Sequence, residues 1–178
     1  MIFTETSVAG AFVIDVERVA DDRGFFARTW DAEELAARGL DPRIAQCSLS
    51  YNARKGTLRG MHYQAAPHEE VKIVRCIHGT IYDVVLDVRS GSPHYGKWDA
   101  VELSASNRRA LYIPSGVAHG FVTLEDDCEL LYQISERHYP ELARGVLWND
   151  LAFGIRWPVT DPILSVADRN RAPVGALA

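Results

Sequence analysis

VKIVRCIHGTIYDVVLDVR, residues 71–89, reads as two strands, VKIVRCIH and TIYDVVLDVR, split by a turn at HGT. Both runs are rich in valine and isoleucine, whose branched side chains suit a pleated surface better than a helix. Side chains alternate across a strand, so Lys72 shares a face with Val74 and Cys76. The same texture recurs outward from this stretch. AFVIDVER (11–18), IAQCSLSYN (44–52) and TLRGMHYQ (57–64) precede it, and WDAVELS (98–104), RALYIP (109–114), HGFVTL (119–124) and CELLYQIS (128–135) follow. Turn residues at SGSPHYGK, SASN, PSG and EDD separate the later runs, at roughly the 8–12-residue spacing of sandwiches and barrels. One helix is expected at WDAEELAARGL (30–40), with Asp31 as N-cap, Glu34 at the capping-box position and Gly39 as the stop. From about Pro140 the pattern is less regular, and Trp148, Phe153 and Trp157 are expected to dock that segment onto the sheets. The pattern predicts an all-β jelly-roll barrel or sandwich with a few short peripheral helices, in a single domain over residues 1–178.

The chain of 178 residues is long enough for one sizeable core, with 47% hydrophobic and 24% charged residues. A net charge of −5 argues against nucleic-acid or anionic-membrane binding by bulk charge, and leaves open a local basic pocket for a phosphorylated small molecule. Cys47, Cys76 and Cys128 are widely spaced and odd in number, so neither a zinc cluster nor a disulfide framework is expected and each should fill core volume. MIFTETSVAG lacks the basic and apolar regions of a signal peptide, and no run approaches membrane-spanning length. A reducing cytoplasm is the expected compartment.

Gly60 stands inside TLRGMHYQ, where glycine marks a bulge or a close backbone approach. Beside it, His62 admits three readings: metal ligand, base or paired core residue. Alternation places His62 with Leu58, Gly60 and Gln64, His119 with Phe121 and Thr123, and Tyr132 with Cys128, Leu130 and Ile134. If these faces line one barrel, His62, Lys72, His119 and Tyr132 converge inside it. Singly, an inward histidine is more often a hydrogen-bonded core group and an inward tyrosine a packed aromatic. A lysine in the middle of an apolar strand face is costly unless paired or snorkelling. Together they are a less common coincidence.

The spacing invites comparison with cupin metal sites. His62 and, in PSGVAHG, His119 occupy ligand positions, and Glu69 or Glu70 offers a carboxylate, but Gln64 replaces the second histidine. An amide oxygen is a poor transition-metal ligand, and Lys72 would bring positive charge beside the ion, so no metal is expected. Proton chemistry fits better. An imidazole with an ordinary pKa of roughly 6.5 is a suitable base at neutral pH. Lys72 suits stabilisation of developing negative charge and Tyr132 suits proton return. The set fits abstraction of a proton α to a carbonyl.

DDRGFF (21–26), GTLRGMHYQ (56–64), DVRSGSPHYGKW (87–98), LYIPSGVAHGF (111–121), ELLYQIS (129–135) and LSVAD (164–168) occur in order. Together they resemble the dTDP-4-dehydrorhamnose 3,5-epimerase family over nearly the whole chain. The resemblance implies a cupin-like jelly roll, a homodimer that exchanges an N-terminal strand, no metal or organic cofactor, and a nucleotide-linked 4-keto-6-deoxy sugar as substrate. By motif it implies His62 as base, Asp168 as its orienting carboxylate, Lys72 near the C4 oxygen and Tyr132 as acid. Taken alone, Asp168 reads as a surface acid in a polar tail. The resemblance further implies that Arg23, Phe26, Gln46, Ser48, Arg59, His119 and His138 hold substrate. Arginine forks suit the diphosphate.

The departures from the family pattern cluster where it reads the nucleotide. Arg28 replaces an acid, Gln46-Cys47-Ser48 replaces QDN, His138 stands at the aromatic that stacks on the base, and PHEEVK puts two acids before Lys72. A GDP-, CDP- or UDP-linked 4-keto sugar, inverted at C3 or C5 alone, is therefore the alternative substrate reading. A metal-dependent cupin and a non-catalytic sugar-nucleotide binding module are the other two. Ideal alternation puts Arg59 and His62 on opposite faces, so use of both on one ligand requires a bulge or bend around Gly60.

Overall fold

A computed structural model describes residues 1–174. The chain runs through β1 (Ile2–Glu5), β2 (Phe12–Asp15), β3 (Arg18–Asp21), β4 (Gly24–Ala27), α1 (Ala32–Ala36), β5 (Gln46–Asn52), β6 (Leu58–Gln64) and β7 (Lys72–His78). It continues through β8 (Thr80–Asp87), β9 (Trp98–Ser104), β10 (Ala110–Ile113), β11 (Val117–Thr123), β12 (Cys128–Ile134), a 3-10 turn at Pro140–Leu142, β13 (Ala143–Gly145) and α2 (Val166–Arg169). A six-stranded sheet has the order β1-β2-β10-β7-β12-β5 and a five-stranded sheet the order β13-β6-β11-β8-β9. Every ladder in both is antiparallel. The hairpin β3–β4 pairs with neither sheet.

The main core joins Val74, Cys76, Leu111, Ile113 and Leu130 of the first sheet to Ile81, Val85, Leu103, Val117 and Phe121 of the second. Both outer faces are also covered. Leu35 of α1 packs on Ile14, Ile73 and Tyr112, while Phe153 and Trp157 pack on Met61, Val84 and Leu86. That explains the near-continuous apolar run of β8, which is buried on both sides rather than one. Trp157 also donates its indole N–H to the Trp148 carbonyl over 2.8 Å, tying down the irregular segment as expected.

The helix at Asp31 is present but only five residues long; the Asp31 carboxylate accepts from the Glu33 and Glu34 amides, and Gly39 follows at φ +72°. The run AFVIDVER divides into β2 and the start of β3, and β1, the β3–β4 hairpin, β13 and α2 add to the elements read from sequence. Cys47 corrects an expectation. Cys76 and Cys128 are buried, but Cys47 is exposed; it lies on β5, an edge strand of its sheet.

Three features of β6 position the site. Its register against β11 pairs His62 with His119 and Arg59 with Phe121, so three steps on β6 match two on β11. The extra residue is a bulge at Gly60 and Met61, as the use of Arg59 and His62 on one ligand requires. Gly60 has φ +146°, and a Cβ there would stand 2.5 Å from the Gly120 Cα; only glycine allows both the conformation and the approach. The Gly60–Met61 peptide is cis. Finally, the end of the described chain returns to β6, where Leu58 N–H donates to the Ile163 carbonyl and Ile163 N–H donates to that of Gly56.

Candidate active site

A cavity of about 550 Å³ opens between the sheets. β6 contributes Arg59, His62 and Gln64, β7 contributes Lys72, β11 His119, β12 Tyr132 and β5 Ser48. The bulge turns Arg59 and His62 onto this one wall, and the Arg59 Nε donates to the side-chain Oδ1 of the buried Asn52 at 2.8 Å. From the C-terminal segment, α2 brings Asp168 over β6.

His62 Nε2 lies 2.5 Å from Asp168 Oδ1. Asp168 is nearly inaccessible to solvent, at 4% exposure, rather than a surface acid. Burial raises its pKa, but the bond and charge of His62, with Ser165 and Arg171, outweigh that and hold the carboxyl below its usual range. α2 is built to place it: Ser165 caps the helix and accepts from the Asp168 amide at 3.0 Å. S-x-x-D is the capping-box spacing, a signal in LSVAD that would have located this helix without a relative.

A second imidazole–carboxylate pair stands beside the first. His119 Nε2 meets Asp83 Oδ1 at 2.6 Å, and Asp83 is fully buried. Burial pushes the Asp83 carboxyl above its ordinary range, against the pull of His119 and Lys72. Its Oδ2 has no partner among the described residues. Tyr132 sits edge-on to His119 with ring centroids 6.0 Å apart. Burial first, then the negative charge of Asp83, raises the phenol well above its normal pKa, so it is a protonated donor at neutral pH. Lys72 Nζ pairs with Glu70 Oε1 at 2.9 Å, both side chains about nine-tenths buried. Pairing, rather than snorkelling, is how the strand tolerates this lysine.

Gln64, at the second cupin ligand position, is committed elsewhere. Its amide donates to the His68 and Arg137 carbonyls, and its oxygen accepts from the Tyr139 amide at 2.8 Å. It clamps two rim loops together, where His68 and Tyr139 stack at 4.1 Å. With its oxygen so engaged and Lys72 lining the same cavity, the donor set does not suit a metal ion.

His62, Lys72, Tyr132, Asp168, Ser48, Arg59, His119 and His138 therefore line one cavity. Gln46 does not; it lies on β5 and donates to the Glu136 carbonyl at 3.0 Å. Arg23 and Phe26 lie on the β3–β4 hairpin, outside this chain's cavity, with Arg23 paired to Asp21 and Phe26 75% exposed. Sequence reasoning missed Asp83, Arg144 and Arg171; an acid inside an apolar strand was the available sign of the first. Arg59, Arg144, Arg171 and Lys72 outnumber the acids of the lining, Glu70 and Asp168, so an acidic chain presents a basic cavity suited to an anionic ligand.

The sequence family described as dTDP-4-dehydrorhamnose 3,5-epimerase matches residues 5–175. The dTDP-4-dehydrorhamnose 3,5-epimerase of Methanothermobacter thermautotrophicus is 42% identical over 175 residues, covering 97% of this chain and 94% of its own. The crystal structure of dTDP-4-dehydrorhamnose 3,5-epimerase from Bacillus anthracis, with TDP and PPi bound, superposes with a TM-score of 0.92 at 38% identity, over 97% of this chain and 99% of that one. ChmJ, a 3'-monoepimerase from Streptomyces bikiniensis in complex with dTDP-quinovose, superposes with a TM-score of 0.87 at 35% identity, over 96% and 86% respectively.

Proposed function

We propose, from the premise that this chain belongs to the dTDP-4-dehydrorhamnose 3,5-epimerase family, that its cavity binds a dTDP-linked 4-keto-6-deoxyhexose and inverts C3 and C5. The enzyme is an isomerase of deoxysugar biosynthesis. The observation that carries the mechanism is a carboxylate-backed imidazole and a protonated phenol on opposite sheets of one cation-lined cavity.

With Nε2–H donated to Asp168, the His62 lone pair is on Nδ1, which takes the proton from the carbon next to the C4 ketone. The electron pair of the broken C–H bond moves into the ketone as an enolate, whose oxygen is stabilised by Lys72. Tyr132 gives its proton to the same carbon from the opposite face and inverts it. Arg59, with His119, Ser48 and His138 around it, holds the substrate, and the diphosphate takes the arginine forks. No metal or cofactor takes part.

Arg23 and Phe26 enter this scheme from a second copy. We read the protein as a homodimer whose β3–β4 hairpin lies over the partner's cavity. Two features support that: the hairpin exposes Val19 and Phe26 (72% and 75%), and the open edge strand β5, which lines the cavity, exposes Leu49 and Tyr51 (59% and 53%). No described helix is long and apolar enough to cross a membrane. Three free cysteines are consistent with a cytoplasmic setting.

Incubation with dTDP-4-keto-6-deoxyglucose in deuterated water tests the reaction. Deuterium at both C3 and C5 is expected; none at either would overturn it. The resemblance to a 3'-monoepimerase favours one second reading, which predicts deuterium at C3 alone. A thermal-shift series with dTDP, UDP, GDP and CDP ranks the nucleotides, dTDP being expected to stabilise most.

A further inference from the structure

Arg171 lies three residues beyond Asp168, just past α2, and lines the cavity. Its Nε donates to Asp168 Oδ1 over 3.4 Å, the same oxygen that meets His62 Nε2. Gly145 makes room for it. This residue of β13 is the ladder partner of His62, and a Cβ on it would stand 2.4 Å from Arg171 Cζ and 2.6 Å from Nε. The guanidinium therefore rests directly on glycine backbone, with 26% of the Arg171 side chain exposed against 5% for Asp168. A charge so placed is screened less by solvent and salt than one on the open surface.

We propose that Arg171 is a positioning residue that, laid on Gly145, keeps Asp168 ionised and opposes a second positive charge on His62, holding that ring in its proton-accepting form. This rests on the reading of His62 as the base. Asp168 alone would favour a protonated ring; a guanidinium on the same oxygen works against it. The other titratable or charged groups that line the cavity with His62 are Arg59 and Tyr63 on β6 itself, His119 on β11, Arg144 on β13, His138 at the rim and, across the cavity, Lys72 with Glu70 on and before β7, and Tyr132 on β12. Among the described residues, Arg171 is the one arginine or lysine hydrogen-bonded to the Asp168 carboxylate, which it shares with His62.

The test compares the wild type with Arg171→Gln and Arg171→Lys. The His62 ring is titrated by NMR on histidine-labelled protein, its signal assigned by its loss in His62→Ala. The pH profile of kcat/KM is measured alongside. In Arg171→Gln the ring midpoint and the acid limb of the profile should both move up by about 0.5–1 pH unit, a loss of roughly three- to tenfold in activity below the limb. Arg171→Lys should restore both. A ring midpoint unmoved in Arg171→Gln overturns the proposal, and a raised KM beside it would make Arg171 a substrate ligand instead. A midpoint that moves while the acid limb stays fixed upholds the positioning role and overturns the assignment of His62 as base.

Discussion

At the scale of single residues, the two imidazole–carboxylate pairs differ in what their carboxylates cost. Asp168 has enough donors to be held below its usual range, whereas burial of Asp83 wins over His119 and pushes it up. The folded state thus takes up the Asp168 proton at a lower pH than the unfolded chain does. Its contribution to stability is complete above the unfolded value near pH 4 and is lost as pH falls through the lower folded value. Asp168→Asn should flatten the stability curve below about pH 4, as read by urea unfolding at each pH. His62→Ala should lower kcat by roughly 10²–10⁴-fold with little change in KM, measured by steady-state kinetics. Tyr132→Phe separates the two half-reactions. Proton removal remains, so deuterium should enter the substrate from solvent while net inversion falls by about 100-fold or more; equal losses of both would remove Tyr132 from the acid's role. Lys72, His119 and Tyr132 were legible from strand alternation, because each shares a face with apolar neighbours. Alternation alone misplaces His62, since the bulge leaves Leu58 on the other face of β6 and sets His62 beside Arg59. Asp168 was reached only through family resemblance, since the S-x-x-D spacing marks a helix start there but does not tell a buried acid from a solvated one. Arg171 was not legible at all, because its role depends on the missing side chain of Gly145 from another strand.

At the scale of elements, β6 carries the site because it departs from ideal pleating. Gly60 and Gly120 face each other across the β6–β11 ladder at the point where the register shifts. Gly60→Ala would put a methyl into the Gly120 backbone at positive φ. We expect a loss on the order of 1–3 kcal/mol in unfolding free energy. In whatever protein folds, KM should rise more than kcat falls, as Arg59 turns away from the cavity. A variant as stable as wild type with unchanged KM would show that the bulge is dispensable. The bulge itself was readable, because Arg59 and His62 could not otherwise serve one ligand. The expected strands matched for the same reason the core is ordered: alternating apolar runs face two sheets and two outer covers. The missed elements are short or held by distant partners. β13 is three residues long and exists through β6, and α2 is a single turn whose position depends on Ile163 meeting Gly56 and Leu58.

At the scale of the whole molecule, Arg23 and the His62 cavity lie apart within one chain, which gives the dimer reading a direct check. Arg23→Ala and His62→Ala chains should each be poorly active. Mixed and re-equilibrated, they should form hybrid dimers in which one intact cavity receives an intact hairpin, recovering about a quarter of wild-type activity. No recovery in verified hybrids would place Arg23 outside the partner's site. Composition and strand pattern do not say which copy a hairpin covers, so the expectation of a dimer came from the family resemblance alone. One consequence concerns the order in which the chain is made. Among the described residues, every strand of both sheets lies within residues 2–145, and Asp168 follows them in the chain. On the ribosome the barrel's strands are therefore synthesised before the carboxylate that meets its histidine, so the sheets' sequence precedes the partner of the base.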